Sequence, residues 1–363
     1  MVQPNYKAIN WNDIEDVIDK LTWEKLTEQF WLDTRIPVSN DLDDWRRLSK
    51  AEQDMVGKVF GGLTLLDTVQ SEQGAIVLLP DARTSHERSV LSNIHFMESV
   101  HAKSYSTIFI TLNTNAEIDA IFEWTDTHEL IQFKSDKINR IYQTGTPLQK
   151  KAASVLLESF LFYSGFYAPL WYLGNNKLPN VAEIIKLILR DESVHGTYIG
   201  YKFQLGYNAL SETDQEELKQ WVFNLCFELY SNEEKYTSYI YDELGWTEEV
   251  NTFVRYNANK ALQNLGFDPL FADTAEDVNP IVMNGISTGT SNHDFFSQVG
   301  NGYLLGQVQA MEEEDYSKWA TSNRQKQRRA YRAEKKRQRE EQTSSPVNFE
   351  TIKAQTPENP DNN

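Results

Sequence analysis

The sequence predicts an all-α bundle of long helices, and three observations predict it. Helix start and stop residues recur along most of the chain. The segments between them run to roughly 20 to 30 residues, longer than the average helix. Nowhere do alternating strands with turn residues accumulate, and there is no short-period repeat. Taken in order, Ser49 with Glu52 forms a capping box, as does Thr84 with Glu87. Thr146, Pro147 and Gln149 combine a cap, a proline at the first helical position and a glutamine at the third. Asn180 with Glu183 is expected to open another helix, and Ser211 another. Gly174, Gly206, Gly245 and Gly266 sit where these helices should stop. Residues 152–173 are almost continuously apolar and nearly long enough to span a bilayer. Glu158 interrupts them and no basic flank sets an orientation, so the segment reads as a buried core helix rather than a membrane span.

Length and composition narrow the function classes. The chain has 363 residues, 40% of them hydrophobic, enough for one large globular domain or two smaller ones. Cys226 is the only cysteine, which excludes a disulfide framework, a thiolate-ligated zinc or an iron–sulfur cluster within one chain, and fits the reducing cytoplasm. Residues 1–11 are polar and carry no secretory signal. Against 35 Lys+Arg stand 53 Asp+Glu, a net charge of −18 that disfavours nucleic acid as a partner of the main body. The composition divides the chain into a helical domain over 1–285, a Gly, Ser and Asn-rich tail with an acidic cluster over 286–320, and an appendage over 321–363. The appendage is basic between Arg324 and Glu341, nine basic residues against three acidic, and then polar; it is expected to be disordered. A solvated tail and a contact with nucleic acid or another acidic partner are both open readings of it.

The chemistry-bearing residues are carboxylates and histidines. Two Glu-x-x-His motifs occur, Glu98 with His101 and Glu192 with His195. On a helix, residues three apart share a face, so a carboxylate and an imidazole can reach one metal ion. Either motif alone is a weak signal, more often a polar surface pair than a ligand pair. Both, however, lie in strongly apolar helices, and each follows another apolar segment that carries an isolated acid, Asp67 and Glu158 respectively. A lone carboxylate on such a face is costly to bury unless it is paired or binds a metal. Glu98 follows Asp67 by 31 residues and Glu192 follows Glu158 by 34, the interval of a helix pair used twice. One acid from each of two helices plus a Glu-x-x-His from each of two others is the known ligand pattern of ferritin-like di-iron and di-manganese proteins. Oxygen and imidazole ligands suit Fe or Mn. Tyr105 lies one turn beyond His101. It is either a core tyrosine or, beside metals, an oxidisable phenol. Phe162, Phe166 and Ile188 would line a dry pocket there or be simple core.

With these motifs, the sequence closely resembles the small (beta) subunit of class I ribonucleotide reductase, above all its class Ib group. The resemblance runs from about Trp23 to Tyr316. It rests on Asp67, Glu98-x-x-His101-x-x-x-Tyr105, Glu158-x-x-x-Phe162-x-x-x-Phe166 and Asp191-Glu192-x-x-His195, with Phe30-Trp31-Leu32-Asp33, Pro37 to Asp41 and Asp294-Phe295-Phe296-Ser297. It implies a ferritin-like bundle in which Asp67, Glu98, His101, Glu158, Glu192 and His195 bind two Mn or two Fe ions, dimanganese being usual in this group. Tyr105 would carry a stable tyrosyl radical. Trp31, Asp191 and His101 would carry the radical outward and Tyr303 across to a separate large (alpha) subunit, which reduces ribonucleoside diphosphates to deoxyribonucleotides. A homodimer and a flavodoxin-like activating protein are also implied. The acidic stretch around Glu314-Asp315-Tyr316 resembles the family's anchor for the large subunit, where relatives normally stop and this chain continues. No nucleotide-binding loop is evident, so the isolated chain should not turn over substrate. The alternative is a ferritin-like oxidase or hydroxylase acting on its own substrate, which would not need Trp31, Tyr105 or Tyr303.

Overall fold

The computed structural model describes residues 7–286. Thirteen α-helices follow one another among them: α1 (Val17–Glu28), α2 (Leu42–Arg47), α3 (Lys50–Val69), α4 (Ala75–Leu78), α5 (Ser85–Leu112), α6 (Asn115–Thr127), α7 (Glu129–Thr144), α8 (Pro147–Leu156), α9 (Tyr163–Gly174), α10 (Pro179–Tyr207), α11 (Glu212–Tyr241), α12 (Thr247–Asn264) and α13 (Pro280–Ile286). No strand occurs among the described residues. The predicted caps largely hold. Ser49 Oγ accepts the Glu52 amide at 3.2 Å while the Glu52 carboxylate accepts the Ser49 amide at 2.7 Å. Thr146 and Gln149 exchange the same pair of bonds, and Ser211 caps α11. Gly245 and Gly266 stop their helices in the left-handed region, at φ +71° and +82°.

Two starts differ from expectation. Thr84 caps α5, but Glu87 reaches one residue further back and accepts from the Arg83 amide, so the box is not reciprocal. Asn180 does not cap α10. The helix begins at Pro179 after Leu178 in a left-handed conformation, and the cap comes from Asp41, far away in sequence. Asp41 Oδ2 accepts the Val181 amide at 2.7 Å and Oδ1 accepts from the Asn180 side chain at 2.6 Å.

The long helices position the centre of the molecule. On α3 the buried residues Val56, Val59, Phe60, Leu63 and Leu66 recur at helical spacing, and Asp67 continues the same stripe. On α10, Val181, Ile185, Ile188, Glu192, His195 and Ile199 do likewise. α3 lies along α5, and α8 along α10. Each fully buried aliphatic of these stripes contributes roughly 1.5–3 kcal/mol. Residues 152–173 are buried as expected, but not as one helix: a π-turn, Leu157–Leu161, separates α8 from α9 and carries Glu158. A second π-turn, Gln70–Gly74, follows Asp67. Single π-turns of this kind concentrate at functional sites. No described helix is long and apolar enough to cross a membrane.

Candidate metal centre

Asp67 from α3, Glu98 and His101 from α5, Glu158 from the π-turn Leu157–Leu161, and Glu192 and His195 from α10 meet in the core, all fully buried. Their ligand atoms form two groups. Asp67, Glu98, His101 and Glu192 offer atoms within 4.8 Å of one another, and so do Glu98, Glu158, Glu192 and His195. Glu98 and Glu192 belong to both. Each sends one oxygen toward either imidazole. Glu98 Oε1 lies 2.8 Å from His195 Nδ1 and Oε2 3.3 Å from His101 Nδ1; Glu192 Oε1 lies 2.9 Å from His101 Nδ1 and Oε2 3.6 Å from His195 Nδ1. Asp67 and Glu158 each belong to one group only. Two bridging carboxylates and one terminal carboxylate and one imidazole per side make a dinuclear ligand set.

The orientation of these atoms supports metal ions rather than an internal hydrogen-bond network. Both oxygens of Asp67, both of Glu192, one each of Glu98 and Glu158, and both ring nitrogens of His195 are buried without a hydrogen-bond partner. They approach one another closely yet are not aligned as donor and acceptor. Eight such atoms in one place would be strongly destabilising if nothing filled the space between them. The donor set, oxygen and imidazole with no sulfur, fits Mn or Fe.

Burial and mutual approach shift the proton affinities of these groups in different directions. Burial pushes the Asp67 and Glu158 carboxyls well above the ordinary range, reinforced by the neighbouring carboxylates. Burial alone would lower His101, but its contacts with Asp191, Glu192 and Glu98 prevail and raise it. His195 is raised against its burial in the same way by Glu98, Glu158 and Glu192. Glu192, also opposed by burial, is held low by the close approach of Glu158 and the two imidazoles.

Tyr105 is fully buried, and its hydroxyl has no hydrogen-bond partner. Burial first, and then the Asp67 and Glu192 charges, raise its phenol well above the usual value. Its ring stacks on Phe60, centroids 5.9 Å apart. Phe162, Phe166 and Ile188 are fully buried on the π-turn side and on α10. On the opposite side of His101, the structure brings Trp31 and Asp191 together. Asp191 Oδ2 accepts the Trp31 indole N–H at 2.7 Å and lies 3.1 Å from His101 Nε2, which points that imidazole's Nδ1 at the metal side. Tyr303, the tail over 286–320 and the appendage over 321–363 lie outside the described residues.

Three neighbours escaped the sequence analysis. Gln29 donates to Asp191 Oδ1 at 2.7 Å, Gln70 donates to Glu158, and Phe60 covers Tyr105. Gln70 carried a signal, since it lies three residues after Asp67 on the same helical face. Gln29 and Phe60 carried none, because tertiary packing alone brings them in.

The family model described as "Ribonucleotide reductase, small chain" matches residues 8–280. The chain is 50% identical over 310 residues to a Mycobacterium tuberculosis protein named ribonucleoside-diphosphate reductase subunit beta nrdF2, covering 85% of this chain and 96% of that one. It is 49% identical over 311 residues to the Escherichia coli ribonucleoside-diphosphate reductase 2 subunit beta, covering 85% and 98%. Among solved structures it is similar to Streptococcus sanguinis dimanganese(II)-NrdF, at 72% identity and a TM-score of 0.77, covering 78% of this chain and 100% of that one.

Proposed function

This chain belongs to the ribonucleotide reductase small-chain family, and from that premise we propose how its buried centre does the family's work. It is the radical-generating beta subunit of ribonucleotide reductase, acting as a dimer and with a separate large subunit that reduces ribonucleoside diphosphates. It binds a pair of manganese or iron ions. In our reading Asp67, Glu98, His101 and Glu192 hold one ion, and Glu98, Glu158, Glu192 and His195 the other. Once raised in oxidation state by an oxygen-derived oxidant, the pair would accept the electron that no protein side chain here can take.

The single observation that carries the reading is the setting of Tyr105. A phenol held this much less acidic than usual stays neutral, so loss of an electron is accompanied by loss of its proton. Asp67, ionised as a metal ligand, would be the base beside it. The oxidised ring is then shut away from water by complete burial, with Phe60 on its face and Phe162, Phe166 and Ile188 in the same core. Asp191, bonded to both the Trp31 indole and the His101 ring, is suited to move a proton between them as an electron crosses, which makes Trp31, Asp191 and His101 the outward route. Tyr303 continues it to the large subunit, which the tail over 286–320 engages. Dimanganese is the working metal pair, a flavodoxin-like protein assists its oxidation, and the protein works in the cytoplasm.

Electron paramagnetic resonance with metal analysis on protein from its own host tests this. A metal pair per chain with a tyrosyl signal that disappears in Tyr105→Phe is expected. Full reductase activity in that variant would overturn it.

A further inference from the structure

The two terminal carboxylates of the centre are not equivalent. Neither oxygen of Asp67 has a hydrogen-bond partner. Glu158 has one partnered oxygen and one free. Its Oε2 faces the centre, 3.6 Å from His195 Nδ1, while its Oε1 accepts a hydrogen bond from Gln70 Nε2. As an ionised metal ligand Glu158 can only accept, so this contact decides which way the Gln70 amide is turned. The amide oxygen must then face the other way, where Tyr142 donates its hydroxyl to it at 2.6 Å. The second N–H of the amide lies 3.2 Å from Ser154 Oγ. Gln70, Tyr142, Ser154 and Glu158 are all fully buried. Burial and the nearby Glu158 charge raise the Tyr142 phenol well above its ordinary value, which keeps it a neutral hydroxyl able to donate.

The backbone makes room for this amide. Gln70 opens the π-turn Gln70–Gly74, and Gly74 closes it. A Cβ at Gly74 would lie 2.0 Å from Gln70 Oε1, so any side chain there would displace the amide from its place between Tyr142 and Glu158. The glutamine is therefore fixed at both ends of its amide and by the turn that carries it.

We propose that Gln70 is a positioning residue for the metal ion shared by Glu158 and His195. Oriented by Tyr142 and Ser154, its amide occupies the outer oxygen of Glu158, so that this carboxylate presents Oε2 alone to the ion. Asp67 has no amide donor of this kind on either oxygen and is not so restricted, and the two metal positions consequently differ in affinity and in carboxylate binding mode. The inference rests on reading the six buried residues as a two-metal centre.

The test is manganese(II) binding to the chelator-stripped full-length chain, followed by calorimetry and by the paramagnetic resonance of free and bound manganese. Gln70→Met keeps length and volume but cannot donate; Tyr142→Phe removes only the hydroxyl that orients the amide. Wild type is expected to take up two ions. In Gln70→Met one of the two should weaken about 10- to 100-fold, the usual consequence of removing a hydrogen-bond partner from a metal ligand. The other should change less than about threefold, and Tyr142→Phe should weaken the same ion by a smaller factor. A general loosening of the fold would weaken both ions together and would count against the proposal. Unchanged affinities in Gln70→Met would overturn it. If that variant does not fold, unchanged affinities in Tyr142→Phe overturn it equally. Failure of the wild type to bind two ions would instead remove the two-metal reading itself.

Discussion

Among the described residues, two buried ionic clusters balance charge in opposite ways, the Lys134–Glu233 pair and the metal centre. Between α7 and α11, Lys134 Nζ sits 2.9 and 2.8 Å from the two oxygens of Glu233. Ser164 donates to the same carboxylate, and the ammonium lies 3.9 Å from the centre of the Tyr236 ring. Every polar atom of this pair is partnered. Burial lowers the Lys134 ammonium, and the Glu233 carboxylate opposes that shift. The metal centre sets four carboxylates against two imidazoles and leaves most of their inward atoms without partners. One cluster carries its own cation. The other is short of positive charge and is complete only with ions that the chain does not supply.

The largest expected effect follows from that shortage. Removing metal with a chelator should destabilise the protein, and restoring manganese at about 1,000 times its dissociation constant should return about 4 kcal/mol per site. Urea unfolding with and without metal measures it. Metal-independent unfolding would mean that the centre, like the lysine pair, satisfies itself. Next comes the converse experiment. Lys134→Met strands Glu233 in the core and should cost about 3–5 kcal/mol, equally with and without metal, whereas replacing both partners by apolar residues should be far milder. A cost that depends on metal would show that the two clusters are coupled.

The two clusters also differ in how much of them could be read in advance. The centre was legible because its pairs are local: Glu98 with His101 and Glu192 with His195 are three apart, and an acid in an apolar helical stripe, as Asp67 and Glu158 are, is conspicuous for its cost. The capping boxes at Ser49 and Thr146 were legible for the same reason. What escaped was tertiary. Lys134 and Glu233 are 99 residues apart, and each alone reads as an ordinary surface charge. Asp41 caps α10 across 139 residues, which is why the local cap at Asn180 was the wrong one. The π-turns leave no periodic trace, because one extra residue in a helix resembles noise in the apolar spacing.

A smaller effect concerns pH in the metal-free protein. Asp67, Glu158, His101 and His195 all hold protons more tightly in the folded chain than their ordinary values allow. The folded state therefore binds more protons than the unfolded state, and stability should fall as pH rises through the range between the ordinary and the raised values. Glu192 is shifted the other way, but its ionisation lies below this range and adds no slope. Metal binding must expel these protons, so manganese affinity should rise with pH while the loss of stability disappears. Unfolding and titration at about pH 6 and about pH 8 would show both trends. A stripped protein that grows more stable toward alkaline pH would contradict the proton-holding picture.

The smallest effect separates two buried tyrosines. Tyr142 donates its hydroxyl to Gln70, so Tyr142→Phe leaves a buried amide oxygen unpaired and should cost about 1–3 kcal/mol. The Tyr105 hydroxyl makes no hydrogen bond of ordinary geometry, having only the Asp67 carboxyl beside it, so Tyr105→Phe removes at most a weak contact and should cost less than about 1 kcal/mol. Yet Tyr105→Phe is the change expected to abolish the radical. A fully buried hydroxyl that adds little to folding yet lies beside the Asp67 carboxyl is what the proposed redox role of Tyr105 predicts. Should Tyr105→Phe instead destabilise as much as Tyr142→Phe, its hydroxyl has a structural bond, and the contrast between the two tyrosines fails.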